Sequence, residues 1–244
     1  MTTALKPLLS ARLLFFGCSL ASPAQAMQIR RPLTSRIRIG FLTLVTALSL
    51  HTPACLADGG FLGIDHELAY DNSGIWKRQY QEVLEYGLIA GEVGGALWEG
   101  GETRLGRTLW QSIDSSAASS LVAYALKYAF SRVRPGASNG DPNLWFKGHG
   151  NESFPSGEVT EVSAIVTPFV LEYGHDHPFV YGLELLPVYD GIARMKVQAH
   201  WQSDVLAGYA LGTAAGWIMH RNPGTPYVLS IMPHGIYVGI SKRF

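Results

Sequence analysis

The stretch "HGNESFPSGEVTE", His149 to Glu161, sets the reading of the whole chain. Pro155 fixes the backbone's approach, Ser156 can cap a helix, and Gly157 lets backbone N–H groups point at a ligand. The helix expected to begin at Ser156-Gly157 therefore presents an anion-binding end. Glu158 and Glu161 fall in its first turn, where carboxylates favour the positive end of the dipole. Upstream, "GASNGDPNLWFKGHGNESFPSG" is a long polar loop, and loops of that length in a compact domain are usually functional or disordered.

Outward from this point, helical periodicity dominates from about Lys77 to His220. "KRQYQEVLEYGLIAGEVGGALW" carries apolar residues on one face and Glu82, Glu85 and Glu92 elsewhere. Thr103 to Arg132 reads as a long helix ended by Arg134-Pro135, because proline disfavours helix in the residue before it. Two more helices are expected at about 178–198 and 201–220. The second contains "VLAGYALGTAAGWIM" (Val205–Met219), whose Gly and Ala content suits close helix packing. The tail "PYVLSIMPHGIYVGISKRF" changes period around His234-Gly235 and predicts a short C-terminal β-hairpin.

The formal net charge of zero hides an asymmetry, since the first 57 residues hold six Lys or Arg and no acid. They read as a signal segment with two possible starts. From Met1 there is the apolar run "LLFFGCSL" and the ending "ASPAQA". From Met27 there is "RRPLTSRIR", then "IGFLTLVTALSL", then "TPACLA". The second has the stronger basic region, so translation is expected from Met27 and cleavage after Ala57. An apolar core of about 12 residues is short of the roughly 20 that span a bilayer; a retained membrane anchor is the alternative. Residues 58–244 then form a single domain with 13 basic and 19 acidic side chains, a net charge of −6. That balance argues against nucleic-acid binding. Cys18 and Cys55 both leave with the leader, which excludes a disulfide or a cysteine metal site. The domain is expected in a periplasm or secreted.

Three segments carry candidate chemistry. In "KYAFSRVRP", Lys127 and Arg134 stand seven residues apart, two helical turns, and can project from one face toward phosphoryl oxygens. "FPSGE" supplies the amide end around Ser156 and Gly157. In "ARMKVQAHWQSDVLAG", Arg194 precedes His200, and Asp204 follows it by one helical turn. At that spacing the carboxylate can accept a hydrogen bond from one imidazole nitrogen and leave the other free to attack.

The order Lys-x6-Arg-Pro, Pro-Ser-Gly, Arg-x5-His-x3-Asp resembles the three-part signature of the type-2 phosphatidic acid phosphatase and vanadium haloperoxidase superfamily, over roughly Thr103 to His220. The resemblance implies an all-α helical bundle and a mechanism without metal or cofactor, through a phosphohistidine. His200 would be the nucleophile and Asp204 would orient it. Lys127, Arg134, Arg194 and the Ser156–Gly157 region would clamp the phosphate oxygens. Glu158 departs from the pattern, which has a histidine there to protonate the leaving alkoxide. Loss of acid assistance costs roughly 10²–10⁴-fold. Glu158 could serve as the acid if buried, but the neighbouring cations and the helix end favour a carboxylate. It would matter less for a pyrophosphate or an anomeric phosphate. His149 is a candidate replacement donor. His175 and His177 invite a metal reading but suit a solvated turn better; Arg132 and Lys196 could add positive potential. Trp145, Phe146 and Trp201 could contact an apolar part of the substrate or pack in the core. The function implied is an exported phosphatase acting on phosphomonoesters or diphosphates, small or lipid-linked, with peripheral membrane contact allowed. A non-catalytic phosphate- or phospholipid-binding protein and a vanadate-dependent halide oxidation are the competing readings.

Overall fold

Among the described residues there are five α-helices: α1 Arg78–Glu99, α2 Arg104–Phe130, α3 Gly157–Tyr173, α4 Leu185–Lys196 and α5 Gln202–Arg221. The computed structural model describes residues 59–222 and, beyond them, only the backbone of Leu229–Met232 paired antiparallel with Gly235–Val238. The expected leader lies outside the described residues, as does the rest of the expected hairpin. The helices match an all-α bundle, with two corrections to their limits. α2 stops at Phe130 rather than Arg132, because Ser131 turns left-handed (φ 38°, ψ 51°) and donates its N–H to the Lys127 carbonyl. The helix expected from about 178 begins as a 3-10 turn, Pro178–Glu184, and becomes α-helical only at Leu185. That start puts Pro187 in the first turn of α4, where its missing N–H breaks no bond.

α3 is the central element and packs most extensively on α5 and α2. Its Val159, Val162, Ile165 and Val166 are all buried. Against α5 the contact is backbone to backbone. A Cβ on Gly208 would stand 2.5 Å from the Ser156 carbonyl oxygen, and one on Gly212 would stand 2.1 Å from that of Thr160. The small-residue run of α5 is therefore what lets the helix carrying Asp204 lie directly on the helix that opens with Ser156-Gly157.

α1 and α2 have inverted polarity. Between them they bury Gln81, Glu92, Ser112, Ser115, Ser116 and Ser119. Glu92 accepts hydrogen bonds from Ser112 Oγ at 2.8 Å and Ser116 Oγ at 3.1 Å, and burial pushes its carboxyl up to about 7. Their outer faces expose Val83, Tyr86, Leu97 and Trp98 from α1, and Leu121, Tyr124 and Tyr128 from α2. The apolar face read from the α1 sequence is thus largely the outer one. Among the described residues no helix is long and apolar enough to cross a membrane.

Because backbone cannot yield as a side chain can, Gly212→Ala should cost about 1–3 kcal/mol by overpacking. A thermal melt should show the midpoint falling by several degrees.

Candidate active site

The chain leaves α2 at Ser131 and turns Arg132 inward, where it has no solvent exposure. One guanidinium nitrogen of Arg132 donates to Asp204 Oδ1 at 2.5 Å and Ser203 Oγ at 2.8 Å. The other donates to Asp65 Oδ2 at 2.7 Å and the Pro142 carbonyl at 2.8 Å. The Trp145 ring covers the cation at 4.2 Å and that of Trp201 lies at 5.4 Å. Asp65 also accepts the backbone N–H and the hydroxyl of Ser203, joining the segment before α1 to the start of α5. Arg132 is therefore spoken for by carboxylates, and the expectation that it adds positive potential to the pocket is corrected. Trp145 and Trp201 serve this network rather than the pocket.

Asp204, also wholly buried, accepts from Trp201 N at 2.9 Å, an N-terminal cap for α5, and from Ser153 Oγ at 2.5 Å. Its carbonyl accepts the Ser156 N–H at 3.0 Å, which ties the Pro-Ser-Gly turn to α5. Burial raises the Asp204 carboxyl above its usual range, against the lowering effect of Arg132. The expected direct bond from His200 to Asp204 is absent: Nδ1 stands 3.9 Å from Oδ2 and lies instead 2.7 Å from the Ser153 carbonyl oxygen. A carbonyl can only accept, so Nδ1 carries the proton and Nε2 keeps its lone pair. Ser153 accordingly links the two residues, its hydroxyl on Asp204 and its carbonyl on His200. His200 is 3% exposed; burial, with Arg194, Lys127 and Arg134 nearby, holds its imidazole well below the usual histidine range. It is a neutral base at neutral pH.

His200 lines a pocket of about 280 Å³ together with Lys127, Arg134, Gly157, Glu158 and Arg194. Lys127 and Arg134 converge here, but not by helical spacing. α2 has ended, and Arg134 sits on extended backbone after the Ser131 turn. A Cβ on Gly157 would stand 3.4 Å from Lys127 Cε, in ordinary van der Waals contact. Ser156 does not cap α3, correcting the expected role. Among the described residues its buried hydroxyl has no partner and no side chain caps the first turn, as the amide end of an anion site requires. Neither Ser156 nor Asp204 lines the pocket; both lie behind it.

Glu158 is bracketed by guanidiniums. It pairs with Arg78 of α1, and its Oε1 lies 3.5 Å from Arg194 Nη1. Acidic and polar residues, Glu85, Glu161, Ser120 and Tyr124, complete the lining. Arg78, Glu85, Ser153 and Asp65 were missed in the sequence, because their partners lie dozens of residues away and no local spacing signals them. His149 stacks edge-on against Tyr128 at 4.8 Å and does not line the pocket; neither does Lys196. Phe146 is 70% exposed. His175 and His177 are exposed as well.

Half-buried Lys127 has its ammonium lowered to about 8, first by burial and then by Arg134. Its charge is present below that value and is lost above it. Calorimetric affinity for inorganic phosphate should therefore weaken about tenfold from about pH 7 to about pH 9 relative to Lys127→Arg, which keeps its charge.

The sequence has counterparts among known proteins. The PAP2 superfamily profile matches residues 108–226. A lipid A 1-phosphatase of Porphyromonas gingivalis is 35% identical over 119 residues, 45% of this chain and 24% of that protein. Lipid A 1-phosphatases of Rhizobium etli and Rhizobium johnstonii are each 37% identical, over 41% and 38% of this chain and 42% and 39% of theirs. The chain thus spans from about a quarter to about two-fifths of the length of these relatives. No solved structure matches it significantly. With the profile covering α2 to α5 and all three motif segments, the chain belongs, through residues 108–226, to the PAP2 superfamily, the type-2 phosphatidic acid phosphatases.

Proposed function

We propose that the chain is a metal-independent phosphatase acting on lipid-linked phosphates, as monoesters or diphosphates, through a phosphohistidine. The observation that carries the reading is His200: Nδ1 is held on the Ser153 carbonyl, and the ring lines a pocket with Lys127, Arg134 and Arg194. The substrate's phosphoryl oxygens would seat among those cations and the α3 amides. Nε2 would attack phosphorus as the leaving oxygen departs, and the positive charge arising on the imidazole would be met by buried Asp204 at 3.9 Å. Water would then cleave the phosphorus–nitrogen bond. The similarity to lipid A 1-phosphatases supports a lipid-linked phosphate.

Glu158, engaged as an acceptor by Arg78 and Arg194, favours a second reading, a phosphate-binding protein without turnover. An oriented, neutral imidazole is of no use to binding alone, which supports the enzyme. Hydrolysis of a chromogenic aryl phosphate separates the two. The wild type should turn over in the presence of a chelator, and His200→Ala should lose at least about 10³-fold in kcat. Equal rates in the two proteins would remove the enzyme reading.

Export through residues 1–57 and a periplasmic setting belong to the same proposal. So does peripheral membrane contact. Tyr124 lines the pocket yet is 67% exposed, and Leu121 and Tyr128 lie beside it on the outer face of α2. That face would rest on the surface from which a lipid substrate enters. Flotation with phospholipid vesicles should carry the wild type, and Leu121→Asp with Tyr128→Asp should leave it in the soluble fraction.

A further inference from the structure

The pocket contains three carboxyl groups, and their surroundings differ. Glu158 is held by Arg78 and Arg194. Glu161, one turn further along α3, accepts a hydrogen bond from Ser120. Glu85, in the middle of α1, lines the same pocket as His200 and makes no hydrogen bond or ion pair within 4 Å among the described residues. A group that must give a proton to a departing oxygen needs a free oxygen of its own and access to the reacting centre. Of the three, only Glu85 is not committed elsewhere.

Resting on the phosphatase reading above, we propose that Glu85 supplies the proton that the leaving oxygen takes up, in place of Glu158. In the first step the His200 Nε2–phosphorus bond forms and the phosphorus–oxygen bond of the ester breaks, with the Glu85 carboxyl proton passing to the leaving alkoxide. In the second step water attacks phosphorus, its proton returns to the Glu85 carboxylate, and the phosphorus–nitrogen bond breaks. The enzyme ends as it began, and ester plus water have become alcohol and phosphate.

The charges around Glu85 are consistent with this role. Glu158 and Glu161 of α3 disfavour its ionisation, while Arg78 of its own helix and Arg194 of α4 favour it. Burial is the largest influence, and the carboxyl is pushed up to about 7. Asp190 of α4 is also pushed up to about 7, chiefly by burial, but it is 1% exposed and does not line the pocket. Lys127 of α2 lines the same pocket.

The test compares an alkyl phosphate, whose alkoxide cannot leave without a proton, with an aryl phosphate, whose phenolate can. Glu85→Gln keeps the size of the side chain and removes the proton. It should lower kcat on the alkyl ester by about 10²-fold while changing the aryl ester by no more than a few-fold. In the wild type the alkyl rate should fall as pH rises past about 7 as Glu85 ionises, and this limb should vanish in Glu85→Gln. The limb near about 8 from Lys127 should persist on the aryl ester in both. An unchanged alkyl rate would overturn the assignment. So would an equal loss on both esters, or an alkyl-specific loss in Glu161→Gln or Glu158→Gln instead. If the wild type turns over neither ester, the phosphatase reading falls and takes the assignment with it. Unchanged melting temperature and inorganic phosphate affinity would establish that Glu85→Gln is folded and can still bind.

Discussion

Arg132 has no contact with solvent, and its guanidinium joins three parts of the chain that are far apart in sequence: Asp65 before α1, Pro142 in the long loop, and Ser203 and Asp204 at the start of α5. Two aromatic faces lie against it and exclude water. A buried ion pair adds little net stability over a well-packed apolar substitute, whereas losing one partner costs about 3–5 kcal/mol because the remaining charge is stranded. What this network supplies is position. From Asp204 the constraint passes to the Ser153 hydroxyl, and through the Ser153 carbonyl to His200, so that the imidazole's tautomer is fixed by backbone that Arg132 holds in place. The Asp204 carboxylate also caps α5 and its backbone carbonyl accepts the Ser156 N–H, so His200 and the Pro-Ser-Gly turn share one anchor.

The inverted polarity of α1 and α2 follows from what they must face. α3 and α5 are already in backbone contact through Gly208 and Gly212 and leave no room for large side chains between them. On the α2 side, Ser112 donates within reach of the Ile165 carbonyl and of Glu92, so small hydroxyl residues satisfy polar groups at close range. Apolar residues displaced from that interior go outward. Hydrophobic burial is then a weaker support for α1 and α2 than for α3, and an apolar phase over their outer faces would supply what the interior does not.

The motifs were legible because each is local: a cation before a proline, an amide-rich turn, a histidine one turn before an aspartate. The order of the segments and the helical periodicity between them were enough for an all-α reading. What the sequence could not show is how each motif is held. The spacing of Lys127 and Arg134 suggested one helical face, yet Ser131 ends the helix between them, and the two meet through a left-handed turn. The spacing of His200 and Asp204 suggested a direct bond, yet each found a nearer partner on Ser153, because the loop returns between them. Arg78 and Glu85 carry no motif at all. The place of Glu85 in the pocket and the pairing of Arg78 with Glu158 depend on α1 meeting the start of α3, a contact between residues about 75–80 positions apart.

That contact also sets what surrounds Glu158 in a pocket lined by Lys127, Arg134 and Arg194. Under the phosphatase reading, a carboxylate there would compete with phosphate for the same cations. Arg78 engages one oxygen of Glu158, while Arg194 stands 3.5 Å from the other, so α1 supplies part of the charge that answers Glu158. Burial is the main reason the Glu85 carboxyl is pushed up to about 7, and the charges of Glu158 and Glu161 add to it. On the reading proposed above, Arg78 of α1 serves Glu158 as counter-charge while Glu85 of the same helix serves as acid, so one helix supplies both groups.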